Sequence, residues 1–299
     1  MGAAGLLRRR RPRPAGRGPP VLRPRAALEG RPVHRAAGGR HRPPERPRRS
    51  AGRPRRRSGG ARAVSAAGGG ASRLVLWRHG RTTSNAEGRF QGQLDTPLDE
   101  VGHAQARAAA AQIAAMRPDR LVSSDLSRAR ATAARLEELT DLRAVEDAGL
   151  RELDAGAWQG LLHQQIADHW PDGHRAWRSG EDLRIGGGEK RSELGARVAA
   201  ALERHAVATP DGGLLVAASH SGALRAGILV LLGLPPEAWA TFASLGNGRW
   251  AVVERRFGRW VLRGYDLGPR GVGEDPEGRT NADGARGLSA AERSAGAVV

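Results

Sequence analysis

Short apolar runs alternate with helix-forming stretches from residue 72 to residue 268, and no other feature limits the fold as tightly. The first run, RLVLWR over 73–78, is ended by Gly80. A polar stretch over 81–98, punctuated by Gly88, Gly92 and Pro97, reads as a loop. Asp99 then caps a helix whose apolar stripe is Val101, Ala104, Ala108, Ala111 and Ala115, and Pro118 stops it. A second strand is expected at 121–123 and a helix from Asp125 to about residue 139. Short strands follow at 143–146 and 150–153, then helices at 161–169 and 189–205 with a Gly-rich loop between them. A buried strand at 214–218 leads into a helix at 223–232, and 250–254 with 260–265 form a closing hairpin about Gly258. Strands alternating with helices predict an α/β domain with a largely parallel sheet between helix layers. Such sheets carry their sites at the carboxyl ends of the strands.

Charge separates this body from its flanks. Residues 1–71 hold 20 Arg and 2 Glu, whereas the rest of the 299-residue chain holds 29 basic and 29 acidic residues, so the whole formal charge of +18 lies in the first 71. That stretch also has 10 Pro, 13 Gly and no aromatic residue, too little apolar surface to offset chain entropy, and it is expected to be disordered. It reads as the translation of GC-rich sequence upstream of the true start; an unstructured basic tail and a targeting segment are the alternatives. It lacks the apolar stretch of a secretory signal. Residues 269–299 show no periodicity and are expected to form a second disordered tail. No apolar run approaches membrane-spanning length, and the chain has no cysteine, which excludes disulfides and thiolate metal sites. A cytoplasmic protein is the default reading. Because charge, composition and periodicity all change near Ser72, a chain beginning there should keep its full kcat/KM. A loss above about tenfold, roughly 1.4 kcal/mol of transition-state stabilisation, would mean that the tail touches the site.

Polar residues gather at the expected strand ends. Arg78, His79, Gly80 and Asn85 follow the first strand, and SSDLSRAR, with Arg128, follows the second. RELDAGAWQG, with Glu152, follows residue 150, and SHSG, with His220, follows the strand at 214–218. Each is weak alone: a strand-end histidine is often structural, a surface arginine is often solvated, and Glu152 could pair with Arg151. Together they bring two histidines, two arginines and one glutamate to one sheet edge.

The motifs RHGRTTSN (78–85), GRFQGQLDTPLDEVGHAQA (88–106), SSDLSRARATA (123–133), RELDAGAWQG (151–160) and SHSG (219–222) resemble those of the histidine phosphatase superfamily, in its phosphoglycerate-mutase-like branch. The resemblance covers nearly all of 72–268 in the expected order. It implies a three-layer α/β/α sandwich, a phosphohistidine intermediate, no metal and no cofactor. A neutral imidazole of His79 would attack phosphorus, splitting hydrolysis into two steps. Arg78 and Arg128 suit a doubly charged phosphoryl group because a guanidinium grips two oxygens at once. His220 adds a donor able to carry charge, Asn85 a neutral one. Positive charge around His79 keeps its lone pair free. Glu152 is the candidate proton donor and later the base for water, with Asp154, on the same face of an expected strand, and Glu146 as its rivals. By resemblance Gln91 lies near the substrate, whereas Trp158 reads as packing. The second histidine of the branch is commonly followed by Gly-Gly; here Ser221 stands first, placed to donate to phosphate or to narrow the pocket.

Mutases of the branch carry a longer insert after the acidic residue, and the compact LDAGAWQGLLHQQI resembles the phosphatases instead. Among these, QGQLDTPL, SSDLSRA and WQGL most resemble the actinobacterial phosphatases of glucosyl-3-phosphoglycerate. The α-ribazole phosphatases, a broad-specificity phosphomonoesterase, a mutase and a non-catalytic binding protein are the other readings, in that order. The implied partner is a small phosphorylated metabolite. A homodimer stays open, and neither a membrane nor nucleic acid is called for.

Overall fold

The computed structural model describes residues 69–269 and 272. The expected tails at 1–71 and 269–299 therefore lie outside the described residues, apart from their innermost positions. Those positions already join the body: the Gly70 N–H donates to Asp211 Oδ1, and the buried Ala71 donates to the Ala206 carbonyl.

Six strands form one sheet among the described residues: β1 (Arg73–Arg78), β2 (Arg120–Ser123), β3 (Val145–Glu146), β4 (Leu214–Ser219), β5 (Trp250–Arg256) and β6 (Arg259–Leu267), in the order β3-β2-β4-β1-β5-β6. The first four run parallel, and β5 and β6 close the sheet antiparallel as the expected hairpin. The helices are α1 (Thr83–Glu87), α2 (Glu100–Ala115), α3 (Ser127–Glu137), α4 (His163–His169), α5 (Pro171–Ser179), α6 (Arg191–Val207) and α7 (Ser221–Leu231). Alternate residues of β1 enter opposite cores. Leu74 and Leu76 pack with Leu194, Val198 and Leu202 of α6 and Leu224 of α7, while Val75 and Trp77 pack with Ala109 and Ile113 of α2 and Leu136 of α3. Burying each of these large side chains is worth about 1.5–3 kcal/mol. The result is the sandwich of two helix layers around a mostly parallel sheet, as expected from the sequence.

Asp99 caps α2 as read from the sequence, its Oδ1 accepting from the Gly102 N–H at 2.7 Å. The buried face of α2 is Gly102, Gln105, Ala106, Ala109, Ala110 and Ile113, about one position on from the expected stripe, and Ala111 and Ala115 are exposed. An alanine-rich helix has little apolar contrast, so its phase is set by tertiary contact. Here Gly102 meets Gly80 backbone to backbone: a Cβ on Gly80 would lie 2.2 Å from the Gly102 carbonyl oxygen. The loop over 81–98 contains α1, and the expected helix 161–169 is followed at once by α5.

The expected strand over 150–153 is absent. Residues Ala148–Leu150 form a 3₁₀ turn, and the chain beyond it pairs with no strand. Its carbonyls are satisfied by side chains instead. Arg197 of α6 donates to those of Gly149 and Arg151 at 3.0 Å each and to that of Glu152 at 3.3 Å, and Ser219 Oγ donates to that of Leu150 at 2.7 Å. A segment whose carbonyls are met this way needs no ladder, so Glu152 and Asp154 share no strand face.

Candidate active site

β1 and β4 lie side by side with Arg78 opposite Ser219, so the next residues, His79 and His220, leave the sheet at the same level. Their rings meet edge to face with centroids 5.2 Å apart, and both are buried. The pocket above them brings together Arg78, His79, Asn85, Gln91, Arg128, Glu152 and Ser221, seven of the eight residues singled out from the sequence. His220, the eighth, stands directly behind as the N-cap residue of α7.

His79 Nδ1 lies 2.6 Å from the carbonyl oxygen of Gly80. A carbonyl only accepts, so Nδ1 carries the proton and the lone pair resides on Nε2. Burial is the main reason that its pKa lies well below 6.5, and the charges of Arg128 and Arg78 push the same way. The imidazole is thus held neutral, in the tautomer of a nucleophile.

His220 is held in the opposite tautomer. Arg128 Nε donates to its Nδ1 at 3.1 Å, so its proton sits on Nε2, 2.9 Å from Ser124 Oγ. Burial, then Arg128, His79 and Arg78, lower its pKa well below 6.5. The sequence reading gave it a donor that could be cationic; in this geometry it is neutral, with both ring nitrogens engaged. Arg128 is fully buried too, and its Nη atoms donate to the carbonyls of Leu94 and Gly92 at 2.6 and 2.7 Å. Desolvation lowers its pKa to about 10, against the opposing pull of Glu152 and Asp95. It therefore keeps its charge at neutral pH while fixing both the loop before α2 and the second histidine. Arg78 donates to the Leu245 carbonyl.

Glu152 is gripped by two backbone donors: Leu153 N–H to Oε1 at 2.8 Å and Gly222 N–H to Oε2 at 2.9 Å. The second comes from the first turn of α7. A Cβ at position 222 would fall 2.6 Å from Glu152 Oε1, which is why the SHSG motif needs its glycine. Asp154 is absent from the pocket lining; its Oδ1 accepts from Gly156 N–H in a local turn. Ser221 Oγ is buried in the pocket and has no hydrogen-bond partner among the described residues. Trp158 is core, packed against Phe90 and Trp177.

The sequence reading missed the outer wall: Arg89, Phe90, Leu194, Arg225, Trp239 and Ser244. Arg225 stacks on the Trp239 indole at 3.6 Å and reaches Ser244 Oγ at 3.3 Å. The signal available was the position of Arg225, on the helix that opens at SHSG; Trp239 and Ser244 sit in a stretch without local pattern. Among the described residues no group of three or more His, Asp or Glu side chains is placed to hold a metal ion, and no helix is long and apolar enough to cross a membrane.

Residues 74–267 match the family model of the histidine phosphatase superfamily, branch 1. The chain belongs to this superfamily. A glucosyl-3-phosphoglycerate phosphatase of Mycobacterium tuberculosis is 39% identical over 198 residues, spanning 64% of this chain and 87% of that protein. A probable phosphoglycerate mutase of Enterobacter is 36% identical over 197 residues, 64% of this chain and 89% of that one. The solved structure of a mycobacterial glucosyl-3-phosphoglycerate phosphatase complexed with VO3 superposes with a TM-score of 0.63 at 38% identity, covering 66% of this chain and 99% of that one. This histidine phosphatase is a phosphoric ester hydrolase by that kinship.

A depressed His79 pKa sets an expectation for pH. For a reaction in which His79 is to attack as the neutral ring, kcat/KM is expected not to fall through the usual histidine range near 6.5 on its account, with the acid limb well below that. Stability behaves differently. Between the lowered folded pKa and 6.5 the unfolded chain binds protons that buried His79 and His220 do not, so stability should decline as pH drops below about 6.5. Tm and kcat/KM measured over the same pH series separate the two effects; a kcat/KM titration at 6.5 that vanishes in His220→Ala but not elsewhere would reassign the limb to His220.

Proposed function

We propose that this phosphatase hydrolyses a small phosphorylated metabolite through a phosphohistidine on His79, and that glucosyl-3-phosphoglycerate is the substrate. The observation that carries the mechanism is the 2.6 Å contact from His79 Nδ1 to the Gly80 carbonyl, inside a pocket that also holds two arginines. His79 Nε2 attacks phosphorus, and the bond to the ester oxygen breaks. Arg78 and Arg128 offset the charge that spreads over the phosphoryl oxygens. Asn85, Gln91 and Ser221 supply neutral donors, while His220 holds Arg128 in register. Glu152 gives its proton to the leaving alkoxide. In the second step the Glu152 carboxylate takes a proton from water, whose oxygen attacks phosphorus and frees His79 and inorganic phosphate.

Kinship to glucosyl-3-phosphoglycerate phosphatases supports the substrate. The outer wall supports it as well: Phe90, Leu153, Leu194 and Trp239 offer apolar faces to a sugar, and Arg89 and Arg225 offer positive charge to a carboxylate. A chain without cysteine tolerates the reducing cytoplasm, the location proposed here. The test is kcat/KM for glucosyl-3-phosphoglycerate beside 3-phosphoglycerate, α-ribazole phosphate and p-nitrophenyl phosphate. Equal or higher values on 3-phosphoglycerate or α-ribazole phosphate would replace this substrate, while p-nitrophenyl phosphate, whose leaving group needs little help, gauges the phosphoryl-transfer machinery alone.

A further inference from the structure

The loop that leads into β5 lies under the nucleophile. The Leu245 carbonyl accepts from Arg78, the Gly248 N–H donates to the His79 carbonyl at 3.0 Å, and the Arg249 carbonyl accepts from the Arg78 N–H at 2.9 Å. Trp77 Nε1 donates to the Gly248 carbonyl at 3.1 Å. Asn247, in the middle of this loop, does not line the pocket. Its Nδ2 lies 3.1 Å from Asn85 Oδ1 and 3.3 Å from the carbonyl oxygen of His79. Both neighbours are acceptors, so the nitrogen of Asn247 faces them and its two hydrogens serve one each.

Asn85 Oδ1 receives more than this one donor. The Thr82 N–H approaches it at 3.2 Å, and Thr82 Oγ1 lies 3.1 Å away. Thr82 Oγ1 has one proton and also lies 2.9 Å from Gln91 Oε1, so the two N–H donors, from Thr82 and Asn247, are what fix which way the Asn85 carboxamide points. The Asn85 NH₂ is therefore turned away from Thr82 and Asn247, and Asn85 is one of the residues that line the pocket.

We propose that Asn247 is a positioning residue for phosphoryl transfer. Its single NH₂ group ties the backbone of the nucleophile to the side chain that offers N–H donors to the phosphoryl oxygens. It sets the spacing between attacking nitrogen and bound phosphate without touching the substrate. This rests on the phosphohistidine reading of the pocket.

The experiment uses the full chain, p-nitrophenyl phosphate as substrate and orthovanadate as the probe of phosphate binding. Asn247→Asp keeps the shape but places an oxygen against two acceptors; Asn247→Ala only removes the donor. Vanadate inhibition is expected to weaken about 10–100-fold in Asn247→Asp and less in Asn247→Ala, the range of a hydrogen bond to a charged group. Asn247 acts through Asn85, so adding Asn247→Ala, which puts no oxygen against the His79 carbonyl, to Asn85→Ala should weaken vanadate no more than about threefold further. Tm of all variants is measured alongside, and Asn247→Ala carries the test if the aspartate variant does not fold. Losses that multiply fully in the double variant, or a lowered Tm with vanadate inhibition unchanged, would overturn the role of Asn247 alone. A wild-type protein with no phosphatase activity and no phosphoenzyme would overturn the underlying reading and this inference with it.

Discussion

His79→Ala should abolish turnover and leave no phosphoenzyme. Removing a nucleophile that acts as one unit with its site costs on the order of 10⁴–10⁶-fold in kcat. No neighbour is placed to substitute. His220 is 5.2 Å away, but its Nδ1 lone pair is engaged by Arg128 and its Nε2 proton by Ser124. Rapid quenching with a ³²P-labelled ester should give acid-labile label on the wild type and none on the variant. Acid-labile label that persists on His79→Ala would show that another group attacks phosphorus.

Glu152→Gln should discriminate between esters by leaving group. An alkyl alkoxide must be protonated as it departs, whereas p-nitrophenolate leaves with little help. The alkyl ester should therefore slow by about 10²–10⁴-fold and the nitrophenyl ester far less. Glutamine keeps one acceptor but turns an NH₂ toward one of the backbone donors at Leu153 and Gly222, so some rearrangement is built into the substitution. The nitrophenyl ester is the internal control for it, since misplacement harms both substrates and lost proton transfer only one. Equal losses would assign Glu152 to binding. A larger selective loss in Asp154→Asn would move the acid there, against the local turn that engages Asp154 with Gly156.

Much of the site was legible because each contributing motif is local. A strand that stops on Arg78-His79-Gly80, and another that stops on His220-Ser221-Gly222, carry their chemistry within a few residues, and parallel neighbours in a sheet deliver such ends to one edge. The acid was legible as a residue type and not as geometry. Glu152 is set by Arg197, 45 positions away, and by the helix start at Gly222, so strand parity had no bearing on it. Asn247, Arg225 and Trp239 were hidden for a related reason. They act through neighbours far away in sequence, and nothing in their own surroundings sets them apart from ordinary loop and helix residues. The phase of α2 was hidden because alanine presents nearly the same face all round.

The sheet order has a consequence for how the protein is made. β1 is an inner strand, yet both of its neighbours come late: Arg73 pairs with Leu214 on one side and with Glu254 on the other. During synthesis at roughly 5–20 residues per second, LVLW waits roughly 7–27 s for its first partner strand. Throughout that interval an apolar segment with two unpaired edges is exposed on the nascent chain, the condition under which chains aggregate. Ribosome-bound chains arrested before Leu214 should be cleaved readily at Trp77 by a protease, and those arrested well beyond β6 should resist. The same strand that leads into His79 is thus a segment that calls for a chaperone.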